Sequence, residues 1–254
     1  MNSIISSLYT RKSVRAFTDK EITKEEKAAI IQAAMEAPTA GNQMLYTIID
    51  VTDQALKDCL AVTCDNQPFI ATAPLVLVFI AEHQRWYDTY KAAGLAPRKP
   101  GTGDILLAIA DACIAAQNAV VAAQSLGIGS CYIGDILENC ETHKELFDLP
   151  KYAIPAAMLV FGYPTQQQST REKPKRFDKK YIVFENKYKV LSPEEHRNMY
   201  EDREIAEGRS GGDFEEKTKA FWLRKYESDF SLEMTRSAEV YMAEFRRRTE
   251  NGRY

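Results

Sequence analysis

Arg11, Ser13 and Arg15 hold alternate positions in the run Arg11-Lys12-Ser13-Val14-Arg15, and a second basic cluster, Lys173-Pro174-Lys175-Arg176, follows far downstream. Alternate residues of an extended segment point the same way, so two guanidiniums and a hydroxyl can face one ligand from one side. The rigid donor fork of arginine matches phosphate and carbonyl oxygens. The pattern therefore points to a phosphate-bearing ligand gripped from two separated parts of the chain. A short string of this kind is also compatible with a solvated basic turn, and the rest of the sequence has to separate the two readings.

Composition narrows the chemistry. The 254 residues carry 33 basic and 36 acidic side chains, a net charge of −3, so no global field draws nucleic acid and any anion site is local. Cys59, Cys64, Cys113, Cys131 and Cys140 are odd in number and form no CxxC pair, which argues against a disulfide framework and a zinc cage and fits a reducing cytoplasm. His83, His143 and His196 are far apart and offer no clustered ligand set, so no metal site is expected. The first residues lack the apolar stretch of a signal peptide and no uninterrupted apolar run is long enough to span a bilayer, so the expectation is a soluble cytoplasmic protein.

The elements that must position these residues can be read from periodicity. Ile4, Ile5 and Leu8 have helical spacing and predict a short helix leading into the basic run. Thr23 to Glu26 is a capping box opening a helix that Pro38 must stop, and the loop Pro38-Thr39-Ala40-Gly41-Asn42-Gln43 follows. Strands are predicted over Tyr46 to Val51, Leu75 to Ala81, Ser130 to Ile133 and Met158 to Tyr163, with a helix carrying Ala55 to Leu60 between the first two. Asp104 to Leu126 has no Pro or Gly and predicts a helix of about 34 Å, apolar around most of its circumference. Such a helix belongs either in a subunit interface or at the centre of a monomeric core.

Beyond about Phe184 charged residues become frequent and helical periodicity dominates. The expected division is a first domain over 1–184 and a helical extension over 185–254 that packs on the core or on a partner subunit. Ser192-Pro193-Glu194-Glu195 opens one helix, Gly208, Gly211 and Gly212 punctuate, and further helices are predicted near Asp213 to Tyr226 and Ser231 to Arg248. Arg246, Arg247 and Arg248 read as complements to a helix dipole, and Arg203, Arg209 and Arg224 as ordinary surface charges.

Four motifs in order carry a resemblance. Arg11-Lys12-Ser13-Val14-Arg15 followed by Phe17, the Ala37 to Asn42 loop, Leu126-Gly127-Ile128-Gly129-Ser130-Cys131-Tyr132-Ile133-Gly134, and Gly162-Tyr163-Pro164 leading to Lys173-Pro174-Lys175 resemble the bacterial nitroreductase family of FMN-dependent flavoproteins, in its longer-chain branch. The resemblance spans roughly residues 1 to 180. It implies an α+β fold, with a central mixed, mainly antiparallel sheet surrounded by helices, a long central helix at a dimer interface and a C-terminal helical extension.

It also implies roles. Arg11 and Ser13, with Lys173 and Lys175, would bind the FMN phosphate, with Arg176 an additional candidate, Lys12 would be a further cofactor-binding residue, and Arg203, Arg209 or Arg224 would be candidates for an NADPH phosphate. Arg15 would reach the pyrimidine edge of the flavin, where it stabilises the charge that develops on reduction and is the residue tied most directly to catalysis. Pro38, Thr39, Ala40, Gly41 and Asn42 would approach the flavin from the other subunit of a homodimer. Gln67, or Asn66 in the alternative register, would contact the ring, and Tyr132, Ile133, Gly134 and Asp135 would lie behind it with a backbone N–H near N5. The implied activity is hydride transfer from NAD(P)H, bound transiently, to the flavin and on to nitroaromatics, quinones or free flavin in a ping-pong cycle. Two alternatives stand beside it: a flavin-binding, redox-sensing or partner-docking protein without turnover, and another reductive chemistry such as dehalogenation or enone reduction on the same scaffold.

Overall fold

The computed structural model describes residues 2–209 and 213–246. Local polar signals start its first helices. The Asn2 side chain accepts from the Ile5 N–H at 2.9 Å and opens α1 (Ser3–Thr10). Thr23 and Glu26 exchange hydrogen bonds with each other's backbone N–H at the head of α2 (Lys24–Met35). After β1 (Tyr46–Asp50), Asp53 caps α3 (Gln54–Thr63). Then come β2 (Leu75–Glu82), α4 (Gln84–Ala92), the long α5 (Thr102–Ser125), β3 (Gly129–Ile133), α6 (Cys140–Leu146), β4 (Ala153–Gly162) and α7 (Gln166–Thr170). The remaining helices are α8 (Pro193–Ala206), α9 (Phe214–Lys225) and α10 (Asp229–Ala243).

The four strands form one antiparallel sheet in the order β1-β2-β4-β3. Because side chains alternate across a strand, β2 serves two cores. Leu75, Leu77, Phe79 and Ala81 face α2 and α5, while Val76, Val78 and Ile80 join Leu60, Ala61 and Ile70 on the other side. All eight residues of β2 are buried, as a central strand covered on both faces requires.

By length and composition α5 could cross a bilayer, but here it lies against α2 and the sheet. Its inward stripe is mostly alanine (Ala108, Ala112, Ala115, Ala116, Ala119 and Ala123), which lets the backbones of α2 and β2 come close, and Asn118 donates to the Ala33 carbonyl at 3.1 Å. Leu106, Leu107 and Ile114 on its outward side are exposed.

Among the elements that differ from the sequence expectation are β4, α4 and α6. β4 begins at Ala153, five residues ahead of Met158, because Pro155 and the alanines around it have weak strand preference and are accommodated by a register irregularity opposite Phe79 and Ile80. The unpredicted α4 is rich in polar residues, packs Trp86 and Tyr87 on the core and is held by tertiary bonds: the Trp86 indole donates to the Gln43 carbonyl at 2.9 Å, and Arg85 to the Met44 and Tyr46 carbonyls. The unpredicted α6 is only seven residues long and has no cap of its own; α10 supplies one, with Ser237 Oγ accepting from the Cys140 N–H and Glu233 from the Asn139 N–H, both at 3.0 Å.

The chain divides into two compact units. One contains the residues up to Arg171 together with the chain from Glu233 onward; the other is Glu172–Leu232. The second unit holds α8, opened by the Ser192 capping box, and α9, with Tyr200 and Phe214 in edge-to-face contact at 5.6 Å. The last helix ends at Ala243, and the expected contributions of Gly211, Gly212, Arg247 and Arg248 lie outside the described residues.

Candidate active site

The basic run leaves the C-terminus of α1, where the Arg11 N–H closes the helix on the Ser7 carbonyl at 3.0 Å, and then lies extended beside β3. Ser13 pairs with Ser130 in a parallel bridge, the Val14 N–H donates to the Ser130 carbonyl at 2.9 Å, and Phe17 pairs with Pro164. Two glycines permit this seating. A Cβ on Gly129 would sit 2.6 Å from Val14 Cγ2, and one on Gly162 would sit 2.5 Å from Phe17 Cδ1, so neither position tolerates a side chain without displacing the run.

Val14 therefore points into the sheet, and its neighbours point the opposite way. Arg11, Ser13 and Arg15 all act on the Cys131 thiol, which burial pushes up while Arg15, Ser13 and Arg11 in that order pull it down. Arg11 also faces the Tyr132 hydroxyl, which donates to Gln117 Oε1 at 3.3 Å. The decisive local feature is Arg11 itself: its Nε and Nη2 are buried and have no hydrogen-bond partner. Buried guanidinium donors left unsatisfied carry a substantial desolvation cost, and an anion with oxygens at this place removes it. The donor set fits a phosphate. Lys12 is committed elsewhere, donating to the Ser169 carbonyl at 2.7 Å and to the Arg171 carbonyl at the end of α7.

After β3 the chain turns through Gly134–Leu137, with Ile133 buried, Tyr132 and Gly134 exposed and nothing within 4 Å of a Cβ built on Gly134. Gln67 comes to this turn from the end of α3. Asp65 and Asn66 take left-handed conformations (φ 60° and 50°), and the Gln67 amide then donates to the Cys64 carbonyl and to Asp135 Oδ2, both at 2.8 Å. Gln67 and Asp135, predicted separately, are thus brought together, while Asn66 is exposed.

The third predicted segment is anchored by a residue that was not predicted. Asp111 of α5 is 3% exposed and accepts from the Ala40 N–H at 3.1 Å, the Leu45 N–H at 3.3 Å and the Thr39 hydroxyl, which in turn accepts from the Met44 N–H at 2.8 Å. One buried carboxylate thereby fixes both ends of the turn over Ala40–Asn42. Gly41, Asn42 and Met44 have positive φ (57°, 55° and 50°), a run of left-handed residues that such an anchor must hold in place. Pro38, Gly41 and Asn42 remain exposed.

A family model described as the nitroreductase family matches residues 8–163. The chain belongs to the nitroreductase family. It is 34% identical over 193 residues to an oxygen-insensitive NADPH nitroreductase of Salmonella typhimurium, covering 75% of this chain and 77% of that protein. Over 201 residues it is 31% identical to an FMN reductase (NADPH) of Bacillus subtilis, covering 78% and 80%. Among solved structures, B. megaterium NfrA2 superposes with a TM-score of 0.82 at 26% identity, over 98% of this chain and 100% of that one.

This nitroreductase-family chain carries its second basic cluster in the other compact unit. There the Lys175 N–H donates to Glu207 Oε1 at 3.0 Å, and Lys175 and Arg176 line a cavity of about 600 Å³ with Arg203, Arg209, Lys217 and Arg224. Arg203 lies over the Phe177 ring at 4.3 Å, with Nε buried and unpartnered. Residues read from sequence as separate surface charges therefore share one cavity. Lys173 belongs to the same unit.

Proposed function

We propose that the protein is a homodimeric, FMN-dependent oxidoreductase that takes hydride from NAD(P)H and passes two electrons to nitroaromatics, quinones or free flavin in a ping-pong cycle. The observation that carries the reading is the buried Arg11 guanidinium with two unused donors, on a run whose alternate residues converge beside β3 in a nitroreductase-family chain. Bound FMN would supply the two-electron chemistry here.

The chain's own residues then divide the work. Arg11 and Ser13 bind the phosphate. Arg15, the exposed end of the run, stabilises the negative charge that develops on reduction. Gln67 and the stretch from Tyr132 to Asp135 orient the ring, and the open space over Gly134 lets a backbone N–H approach it. The turn Pro38 to Asn42, held by Asp111, serves the partner subunit's site. Dimerisation is supported by the exposed Leu106, Leu107 and Ile114 of α5 and Ile4 of α1, an apolar surface suited to a second copy. Around the cavity of the second unit Glu204 and Glu207 pair with Arg209 and Lys217, and Arg176, Arg203 and Arg224 beside them favour NADPH over NADH, through the extra phosphate on its ribose. Free, unpaired cysteines agree with a cytoplasmic setting.

Purified protein is expected to be yellow, to release FMN on denaturation, to run as a dimer in light scattering and to bleach anaerobically when NADPH is added. A colourless protein that cannot be reconstituted with FMN overturns the reading, and bound flavin that neither nicotinamide reduces favours a non-catalytic flavoprotein.

A further inference from the structure

A cavity beside α4 has no part in the function just described. It encloses about 560 Å³, within the range of about 300–1,000 Å³ usual for small-molecule sites. Its walls are flat and apolar, built from the rings of Trp86, Tyr87 and Tyr90 on α4 and from Pro97 and Pro100 in the segment between α4 and α5. Trp86 and Tyr90 continue each other, with ring centroids 5.6 Å apart and planes inclined by 37°. Pro100 is buried and Trp86 and Tyr87 are half-buried, whereas Tyr90 and Leu95 stand exposed at the rim. Leu107, on the α5 surface assigned above to a second copy, completes that rim.

The charged groups of the cavity are spent on each other. Arg98 Nη2 donates to Asp104 Oδ1 at 2.8 Å, and the Gly101 N–H donates to Asp104 Oδ2 at 2.7 Å, so the ion pair offers a ligand no free charge. One polar atom is left over. His83 lines the cavity just ahead of α4, and its Nε2 is buried without a hydrogen-bond partner among the described residues. A ring nitrogen closed off in this way carries a desolvation cost that a ligand hydroxyl removes. The hydroxyl does so for either tautomer of the ring, because it both donates and accepts.

We propose that this cavity is a binding site for a small neutral aromatic alcohol, a phenol or naphthol, whose ring lies among Trp86, Tyr90 and Pro97 and whose hydroxyl bonds His83 Nε2. Flat rings set among aromatic and proline side chains bury a large apolar area at little conformational cost. The half-buried His83 ring needs only a small turn to present Nε2 to the hydroxyl. A carboxylate or an ammonium group finds no free counter-charge here, since Arg98 and Asp104 hold each other, and it pays its full desolvation cost. An arene without a hydroxyl leaves Nε2 unmet. None of the residues assigned above to the flavin lines this cavity, so the site stands apart from the flavin-dependent reading and does not rest on it.

The probe is 2-naphthol, titrated by calorimetry into the full-length protein as purified, with its histidines isotopically labelled for magnetic resonance. One naphthol should bind per chain, and the Nε2 signal of His83, one of three histidines to assign, should move on binding. His83→Leu removes the hydrogen-bonding nitrogen and should weaken naphthol about tenfold, while naphthalene, which lacks the hydroxyl, should bind the variant and the wild type alike. In the wild type, naphthalene and 2-naphthoate should each bind about tenfold or more weakly than naphthol. Ala96 lines the cavity and is exposed, so Ala96→Trp should fill the space, abolish the titration and unfold like the wild type. A wild type that binds no naphthol, as when a second copy closes the rim at Leu107, overturns the site. So does a His83 signal that stays in place, equal naphthol affinity in H83L, naphthoate bound as tightly as naphthol, or binding that survives in A96W, which would put the naphthol elsewhere on the protein. If H83L does not fold, the difference between naphthol and naphthalene in the wild type decides alone.

Discussion

Replacing Asp111 by alanine tests whether one buried carboxylate builds the loop over Pro38 to Asn42 that we propose serves the active site. The substitution leaves the Ala40 and Leu45 N–H groups without their acceptor, whereas the half-buried Thr39 hydroxyl can turn to water. Each buried donor left unmade costs about 1–3 kcal/mol, so the two together predict a loss of about 2–6 kcal/mol in chemical denaturation of the flavin-free protein. The left-handed run at Gly41, Asn42 and Met44 then loses its anchor and relaxes toward ordinary backbone angles. FMN affinity, measured by fluorescence quenching on reconstitution, should fall about tenfold or more, since each tenfold step corresponds to about 1.4 kcal/mol. Asp111→Asn keeps one acceptor oxygen and should lose only about 1–2 kcal/mol of stability. An Ala variant within about 0.5 kcal/mol of the wild type, with unchanged FMN affinity, would show that the loop holds itself and that the reasoning is wrong.

Other perturbations separate binding from folding. Arg11→Ala removes two buried, unpartnered donors, so the flavin-free protein should be as stable as the wild type or more so while FMN binds about 10-fold to 150-fold more weakly; equal FMN affinity in dialysis refutes the phosphate assignment. Gly129→Ala forces a Cβ onto Val14 and should cost about 1–3 kcal/mol in thermal unfolding, whereas Gly134→Ala meets open space and should unfold like the wild type yet retain FMN poorly. Glu233 is held down at about 2, first by Arg236 and next by Ser237, so its contribution is complete above its ordinary value of about 4.5 and is lost as pH falls toward 2. Arg236→Gln should flatten the acid limb of the stability curve over that window, and an unchanged limb counts against the latch between α10 and α6.

Much of the frame was legible because its determinants are local. Alternation alone put Arg11, Ser13 and Arg15 on one side, and their shared influence on the Cys131 thiol agrees with it. The capping signals at Thr23 and Ser192 lie in the residues that use them. What escaped depends on distant partners. Nothing within α4 or α6 shows that the Gln43 carbonyl or Ser237 will hold them. Asp111 did leave a signal, since it is a lone carboxylate in the middle of an otherwise apolar helix face, where a charge survives only if the fold supplies donors. The composition change near Phe184 marks where charged, helical sequence begins, within the compact unit Glu172–Leu232.

The cap that Ser237 and Glu233 place on α6 also constrains the order of events during synthesis. Asn139 and Cys140 leave the ribosome well before their acceptors, which stand 94 and 97 residues later in the chain. Until that later segment arrives, α6 is a seven-residue helix without a cap, too short to persist in water. The turn over Gly134–Leu137 that leads into it accordingly lacks its brace on the nascent chain. A chain stalled between α6 and α10 therefore presents the basic run beside an unbraced turn.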